Sequence, residues 1–442
     1  MRILHTGDWH LGQSFYNHDR EAEHQAFLDW LLEEIGRQEA DALLVAGDVF
    51  DTGNPPASSM RRFYRFLADA KRRSPSLDIV LIAGNHDSAA RFEAPQPILD
   101  GLEVKVVGSG RLERSDAVDR MVVPLTGRDG EIGAYCVAIP FVRASDLPAR
   151  ATGDECEGDP YAAGVTALYQ RCVARAQELR GDRPIAIVAL GHIHLAGGAG
   201  SASERALVVG GAEALPTSLL DPCIAYAALG HLHRPQKVGG SESRRYCGSP
   251  MPLSFEEIEY VHQIVRVDLD GAGVTSVEAI RIPRHVELVR IPEKHAPLEE
   301  ALAAVRAWRP ERDLSAERHP YLEFRVALAG PEPGLRARLD EALEGKPLRF
   351  ARISSTDGSR PSSNAGEEAA GGFGLEDLER LDPEAVFLDL HRSLYEWDPE
   401  PELLATFQEL LRDSAEGEKE EGASVSAAAT KPRRVTAKEA RR

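Results

Sequence analysis

A chain of 442 residues, 43% apolar and 28% charged, exceeds one compact core, so two or three soluble domains are expected. Its formal charge of −19 argues against a general electrostatic grip on nucleic acid but leaves room for a local basic path. Apolar runs fall far short of the roughly 20 residues that span a bilayer, and the five cysteines (Cys136, Cys156, Cys172, Cys223, Cys247) are scattered without a C-x-x-C pair; with no signal peptide at the start, a cytoplasmic chain with reduced thiols is expected.

In chain order, residues 1–6 read as a strand and Glu21 to Ile35 as an amphipathic helix, with Phe27, Leu28, Leu31, Leu32 and Ile35 at helical spacing. Ala42 to Ala46 reads as a strand, Ser58 to Arg72 as a helix capped by Ser58 or Ser59, and Ile79 to Ala83 as a third strand. This β-α-β-α-β order implies a largely parallel sheet wrapped by helices. After Asp100 come shorter runs, Val104 to Val107, Met121 to Leu125 and Tyr135 to Ile139, read as a second sheet packed on the first. A helix over Tyr161 to Leu179 and strands at Ile185 to Leu190, Ala206 to Val209, Ile224 to Leu229, Arg244 to Cys247 and His262 to Leu269 complete an α/β two-sheet sandwich flanked by helices, placed at 1–282.

Pro283 marks a boundary, beyond which 283–353 reads as a small βαβαβ domain with 13 basic and 12 acidic residues. Residues 354–374 have the composition of a flexible linker. In 375–413 two amphipathic helices, Asp382 to Tyr395 and Pro401 to Leu411, cannot bury both apolar faces by themselves and call for a partner surface or for docking back on the body. Residues 414–442, an acidic patch followed by a basic one, are expected to be disordered.

The chain is organised around Leu43 to Asp51, LLVAGDVFD, where an apolar run ends at Gly47 and hands over to Asp48. Four further apolar runs end at a glycine in the same way, followed by Asp8 and His10, Asn85 and His86, His192 and His194, and His231 and His233. Strand ends are where an α/β sheet places chemistry. Each motif is weak alone, but five in succession point to one bimetal centre with Asp48 as the bridge. Mixed imidazole, carboxylate and amide oxygen suit divalent manganese, iron or zinc better than magnesium, and the lack of thiolates argues against a structural zinc site. Two such ions roughly 3.5 to 4 Å apart can activate a bridging water and clamp a phosphate during in-line attack, so phosphoester hydrolysis is the indicated reaction. With Asn85 ligating through its oxygen, the adjacent His86 is left to protonate the departing oxygen, oriented by Asp51 or by Asp87.

The order DWHLG (Asp8 to Gly12), GDVFD (Gly47 to Asp51), GNHD (Gly84 to Asp87), GHIH (Gly191 to His194) and GHLH (Gly230 to His233) resembles the calcineurin-like metallophosphoesterases. More narrowly, RILHTGDWHLGQSFY, REAEHQAFLDWLL, VAGDVFDTGNPP, ALGHLHRPQ and YCGSPMPLSF resemble the bacterial SbcD-type nucleases over about 1–270. The resemblance implies one manganese on Asp8, His10, Asp48 and His233, a second on Asp48, Asn85, His192 and His231, His86 as catalytic acid, and a supporting place for His194. It also implies a homodimer and a manganese-dependent DNA nuclease, both double-strand 3'-5' exonuclease and single-strand or hairpin endonuclease, serving DNA recombination, replication and repair. A capping domain would match 283–353, and the helices of 375–413 would bind an SbcC-type ATPase. Because Gly345-Lys346 lacks the glycine spacing of a phosphate-binding loop, ATP would be bound by that partner. The alternative is a metallophosphoesterase acting on small phosphoesters or phosphoproteins, since the same site chemistry serves both.

Overall fold

The computed structural model describes residues 1–111, 116–147, 159–200, 204, 214–328, 330, 332–357 and 404. The chain divides into two units, Met1–Arg360 and Pro361–Arg442, and everything described here except Leu404 belongs to the first. The expected strand at 206–209 and the helices at 382–395 and 401–411 lie outside the described residues, Leu404 excepted.

Strands β1 (Arg2–Thr6), β2 (Ala42–Val45), β3 (Asp78–Ile82) and β4 (Val104–Val107) run parallel, with the helices Glu21–Arg37 and Ala57–Arg73 in the first two crossovers. A second sheet contains β5 (Val122–Thr126), β6 (Ile132–Ile139), β7 (Ala186–His192), β8 (Ile224–Gly230), β9 (Gln236–Lys237) and β10 (Arg244–Tyr246), in the order β5-β6-β7-β8-β10-β9. The chain then returns to the first sheet through β11 (Gln263–Asp270) and β12 (Gly273–Arg281), giving the order β12-β11-β1-β2-β3-β4. β11 lies antiparallel to β1.

Alternation along each strand of the first sheet divides its side chains between two cores. Ile3, Leu44, Val80 and Ile82 face the second sheet, meeting Val137, Val188 and Ala227. Leu4, Leu43, Val45 and Leu81 face the helices, meeting Leu31, Phe63, Phe66 and Leu67. Burial on both faces is why these strands are continuous apolar runs.

Three features depart from the sequence expectations. β4 pairs in parallel with β3 at the edge of the first sheet, so the second sheet begins one strand later, at β5. β12 has no apolar run because most of its side chains are exposed or half-buried at the sheet edge. The helix expected to be capped by Ser58 or Ser59 starts at Ala57 behind Pro56, with no side-chain cap, and Ser59 is buried in its first turn.

A third sheet contains β13 (Leu288–Pro297), β14 (Tyr321–Leu328) and β15 (Arg349–Asp357), all parallel. The helices Leu298–Ala307 and Leu335–Leu343 close a separate core of Ile291, Leu302, Val305, Leu322, Phe324 and Leu339. β15 continues to Asp357, into the stretch read as linker. Among the described residues no helix is long and apolar enough to cross a membrane.

Candidate metal centre

The residues after β1, β2 and β3 and at the ends of β7 and β8 meet in one buried pocket of polar side chains. Trp9 anchors the first of them: its ring packs edge-on against Phe27, Phe63 and Phe66, and its indole N–H donates to Thr6 Oγ1 at 2.9 Å. Burying such a ring contributes on the order of 3 kcal/mol. It fixes the backbone from which Asp8 and His10 project.

That backbone is strained. Among the described residues eight non-glycine positions have positive φ, and four of them are Asp8 (52°), His10 (45°), Asp48 (46°) and His231 (103°). Each costs of order 1 kcal/mol, which surrounding packing must offset. The glycines preceding the ligand-type residues have a steric reason. A Cβ on Gly47 would strike the His192 ring, and one on Gly84 would strike the Asp48 carboxylate. Gly47 and Gly84 thus make room for side chains arriving from other strand ends, while Gly191 makes room for the Tyr169 hydroxyl and Gly230 for the Ala46 backbone.

Asp48 is central. The ligand atoms of His10, Asp48 and His86 lie within 4.8 Å of one another, as do those of Asp8, Asp48 and His192. His192 Nε2 is 3.4 Å from Asp48 Oδ2 and 2.9 Å from Asn85 Oδ1. His10 Nε2 is 3.7 Å from Asp48 Oδ2. The His231 ring lies 5.3 Å from that of His192, and the His233 ring 5.2 Å from that of His10. Asp8 groups with His192 rather than with His10, because its carboxylate is drawn toward β8 by the His231 N–H, 2.9 Å from Oδ1. His194 faces its own loop, with Nε2 3.4 Å from the Gly198 carbonyl and its ring 6.1 Å from that of His231.

The roles expected of Asp51 and Asp87 are redistributed. The Asp51 main-chain carbonyl, not its carboxylate, meets His86 Nδ1, at 2.7 Å; the carboxylate instead faces His10 Nδ1 at 3.4 Å. The Asp87 carboxylate is buried and accepts from the N–H groups of Val49, Phe50 and Gly84. It therefore ties the GDVFD and GNHD loops together.

Electrostatics follow from burial. Desolvation pushes the Asp8 carboxyl up to about 7, and burial beside the Asp48 charge does the same to Asp87. Burial also opposes ionisation of Asp48, but the surrounding imidazoles, His192 first, hold it well below the usual carboxylate range. Burial disfavours a charged His192, yet the Asp48 carboxylate carries it up to about 9. His10 and His231 are pushed down by burial.

One contributor had no readable signal. Glu257, fully buried in the short helix Phe255–Glu259, lies 3.2 Å from His233 Nδ1 and accepts from the Leu253 N–H at 2.9 Å. In sequence it is one glutamate among Glu256, Glu257 and Glu259, and only tertiary burial distinguishes it. Of the cysteines, Cys136, Cys172 and Cys247 are buried and Cys223 half-buried, with thiols pushed up by desolvation; Cys156 lies outside the described residues.

The donor set fits divalent cations. Both ring nitrogens of His10 are buried and make no hydrogen bond. An imidazole lone pair buried without a donor is costly unless a ligand takes it. Imidazoles around a carboxylate common to two groups are the arrangement a pair of divalent ions requires.

Comparison with known proteins agrees with this chemistry. The family model described as calcineurin-like phosphoesterase matches residues 1–235, more than half the chain, so the class is that of the metal-dependent phosphoesterases. A second model, described as the type 5 capsule protein repressor C-terminal domain, matches residues 284–393. Three relatives are named as the SbcD component of the SbcCD nuclease. That of Rhodobacter capsulatus is 43% identical over 88% of this chain and 93% of its own. That of Escherichia coli K12 is 36% identical over 88% and 92%, and that of Bacillus subtilis 35% over 74% and 80%. The chain belongs to the SbcD family of the calcineurin-like phosphoesterases.

Proposed function

We propose that this protein is the nuclease component of an SbcCD-type complex, a manganese-dependent phosphodiesterase that cuts DNA ends and hairpins in the cytoplasm together with an SbcC-type ATPase. The observation that carries the site reading is Asp48, shared by two ligand groups, with His10 beside it lacking any hydrogen-bond partner. In this reading Asp8, His10, Asp48 and His233 would hold one ion and Asp48, Asn85, His192 and His231 the other, an assignment that requires the Asp8 carboxylate, grouped here with His192, to turn toward His10 when the ions bind. Two divalent ions supply Lewis acidity toward the phosphate and a nucleophile available at neutral pH.

The remaining work is done by side chains. Asp87 keeps the loops of Asp48 and His86 in register. The Asp51 carbonyl accepts a hydrogen bond from the Nδ1–H of His86, which leaves Nε2 as the nitrogen that delivers a proton to the departing oxygen. Glu257 accepts from His233 Nδ1, which leaves Nε2 of that ring for an ion. We further assign 1–282 to the nuclease domain, 283–353 to a capping domain supported by its separate core, and 375–413 to the ATPase contact, with a homodimer as the working unit.

The test is cleavage of labelled hairpin and linear duplex DNA by the purified chain in manganese, with and without the ATPase and ATP. Cleavage is expected, with a His86→Ala variant losing at least about a hundredfold in rate. Absence of cleavage under all conditions, or a His86→Ala variant as active as the parent, defeats the proposal.

A further inference from the structure

Beside the His86 loop lies a cleft of about 460 Å³ whose walls carry three arginines, Arg111, Arg120 and Arg143. Two are neutralised within the cleft: Arg111 Nε lies 3.0 Å from Asp146 Oδ1, and Arg120 Nη2 3.4 Å from Glu93 Oε1. Arg143 differs. Among the described residues its guanidinium makes no ion pair within 4.0 Å, and the nearby Asp146 is committed elsewhere, its Oδ2 accepting from the Arg143 main-chain N–H at 3.0 Å.

Arg143 is also tied to the site. It follows β6 of the second sheet, and Phe141, two residues before it, donates its N–H to the Ala83 carbonyl at the end of β3 and turns its ring edge-on to His192. The guanidinium lies over the Phe141 ring, 5.6 Å from its centroid, and donates from Nη2 to the carbonyl of Asp87 at 3.1 Å. A half-buried cation is thus held one residue from His86, with spare donors beside an open cleft. A guanidinium of this kind suits a phosphate, which accepts two parallel N–H bonds.

We infer that Arg143 binds the phosphate next to the scissile one, and that the cleft receives the leaving strand of a nucleic acid substrate. The inference rests on the nuclease reading and adds a direction to it. If His86 protonates the departing oxygen, the strand carrying that oxygen leaves past His86, and Arg143 meets its next negative charge. Arg143 is a substrate-binding residue in this account, with no part in bond cleavage.

The test measures steady-state hydrolysis in manganese of single-stranded oligonucleotides and of bis-p-nitrophenyl phosphate, a diester with no flanking phosphate, across a salt series. For Arg143→Ala, KM for the oligonucleotide is expected to rise about tenfold with kcat within about twofold, and the slope of log kcat/KM against log salt to flatten by about 0.7, the value of one phosphate contact on a single strand. Arg143→Lys, which keeps the charge, should recover most of the KM. A methylphosphonate at the phosphate next to the cut, on the leaving-strand side, should cost the parent about what Arg143→Ala costs, and cost the variant little more. Equal losses in kcat on both substrates with an unchanged salt slope would show a loop brace only and overturn the inference. So would undiminished methylphosphonate discrimination in the variant. A parent protein that hydrolyses bis-p-nitrophenyl phosphate but no oligonucleotide fails earlier, at the nuclease reading, and overturns both.

Discussion

In the third sheet, Glu323 is 1% exposed and three guanidiniums close on it, Arg290 Nε at 2.7 Å, Arg325 Nε at 3.1 Å and Arg352 Nε at 2.7 Å. At the strand ends of the larger sheets, His10 is 2% exposed and neither ring nitrogen has a hydrogen-bond partner. His5, five residues earlier, is buried as deeply, yet its Nδ1 meets the Tyr226 hydroxyl at 3.0 Å and its Nε2 the Leu229 carbonyl at 3.2 Å. Equal burial therefore accompanies opposite accounting. Glu323 and His5 are satisfied from within the protein and hold elements together; the His10 ring is left open for something the protein must bind.

The difference can be broken or sharpened by substitution. The largest effect belongs to Asp48→Asn, which removes the shared carboxylate: kcat/KM for phosphodiester hydrolysis should fall by about 10³-fold or more while the thermal midpoint moves only a few degrees. Loss of fold in step with activity would mean that the open cluster is structural after all.

His5 gives the next effect, through pH. Burial lowers its pKa to about 3 from an ordinary 6.5, so the fold prefers the neutral ring. That contribution is complete above pH 6.5 and is lost as pH falls from there through about 3. The stability gap between the parent and His5→Gln, from urea melts, should shrink by on the order of 3 kcal/mol over that window. A gap independent of pH would show that His5 is not held neutral in the seam between the sheets.

Glu323→Ala should cost about 2 kcal/mol, a discounted figure because its arginine partners are partly exposed, and should leave hydrolysis of a small diester intact. A parallel loss of activity would erase the distinction between the two clusters. Smallest is Glu257→Gln. Manganese binding by calorimetry should weaken about tenfold, or about 1.4 kcal/mol, for one of the two ions, since a glutamine grips the His233 ring less firmly. Unchanged affinity at both sites would reduce Glu257 to a structural role that includes its bonds to Leu253 and Ser249.

Much of this was legible in the sequence because strand-end chemistry leaves a local mark. A buried parallel strand must be apolar on both faces, and a ligand loop must begin where it ends, so Ala42–Val45 followed by Gly47 and Asp48 states both at once. The same logic exposed Asp8, Asn85, His192 and His231. β12 escaped because an edge strand needs no apolar run, and the sheet to which β4 belongs was not legible because a four-residue strand carries no information about its neighbour.

What the sequence determined by itself was therefore the inventory: which strands, which side chains at their ends, and the class of chemistry those donors can support. Tertiary structure decided the partnerships. That Asp51 serves His86 through its carbonyl, that Asp87 binds two loops rather than an imidazole, that Glu257 backs His233 and that Arg143 reaches the Asp87 carbonyl are contacts between segments far apart in the chain. Periodicity records which face of an element is buried; it carries no record of what the neighbouring element brings to that face.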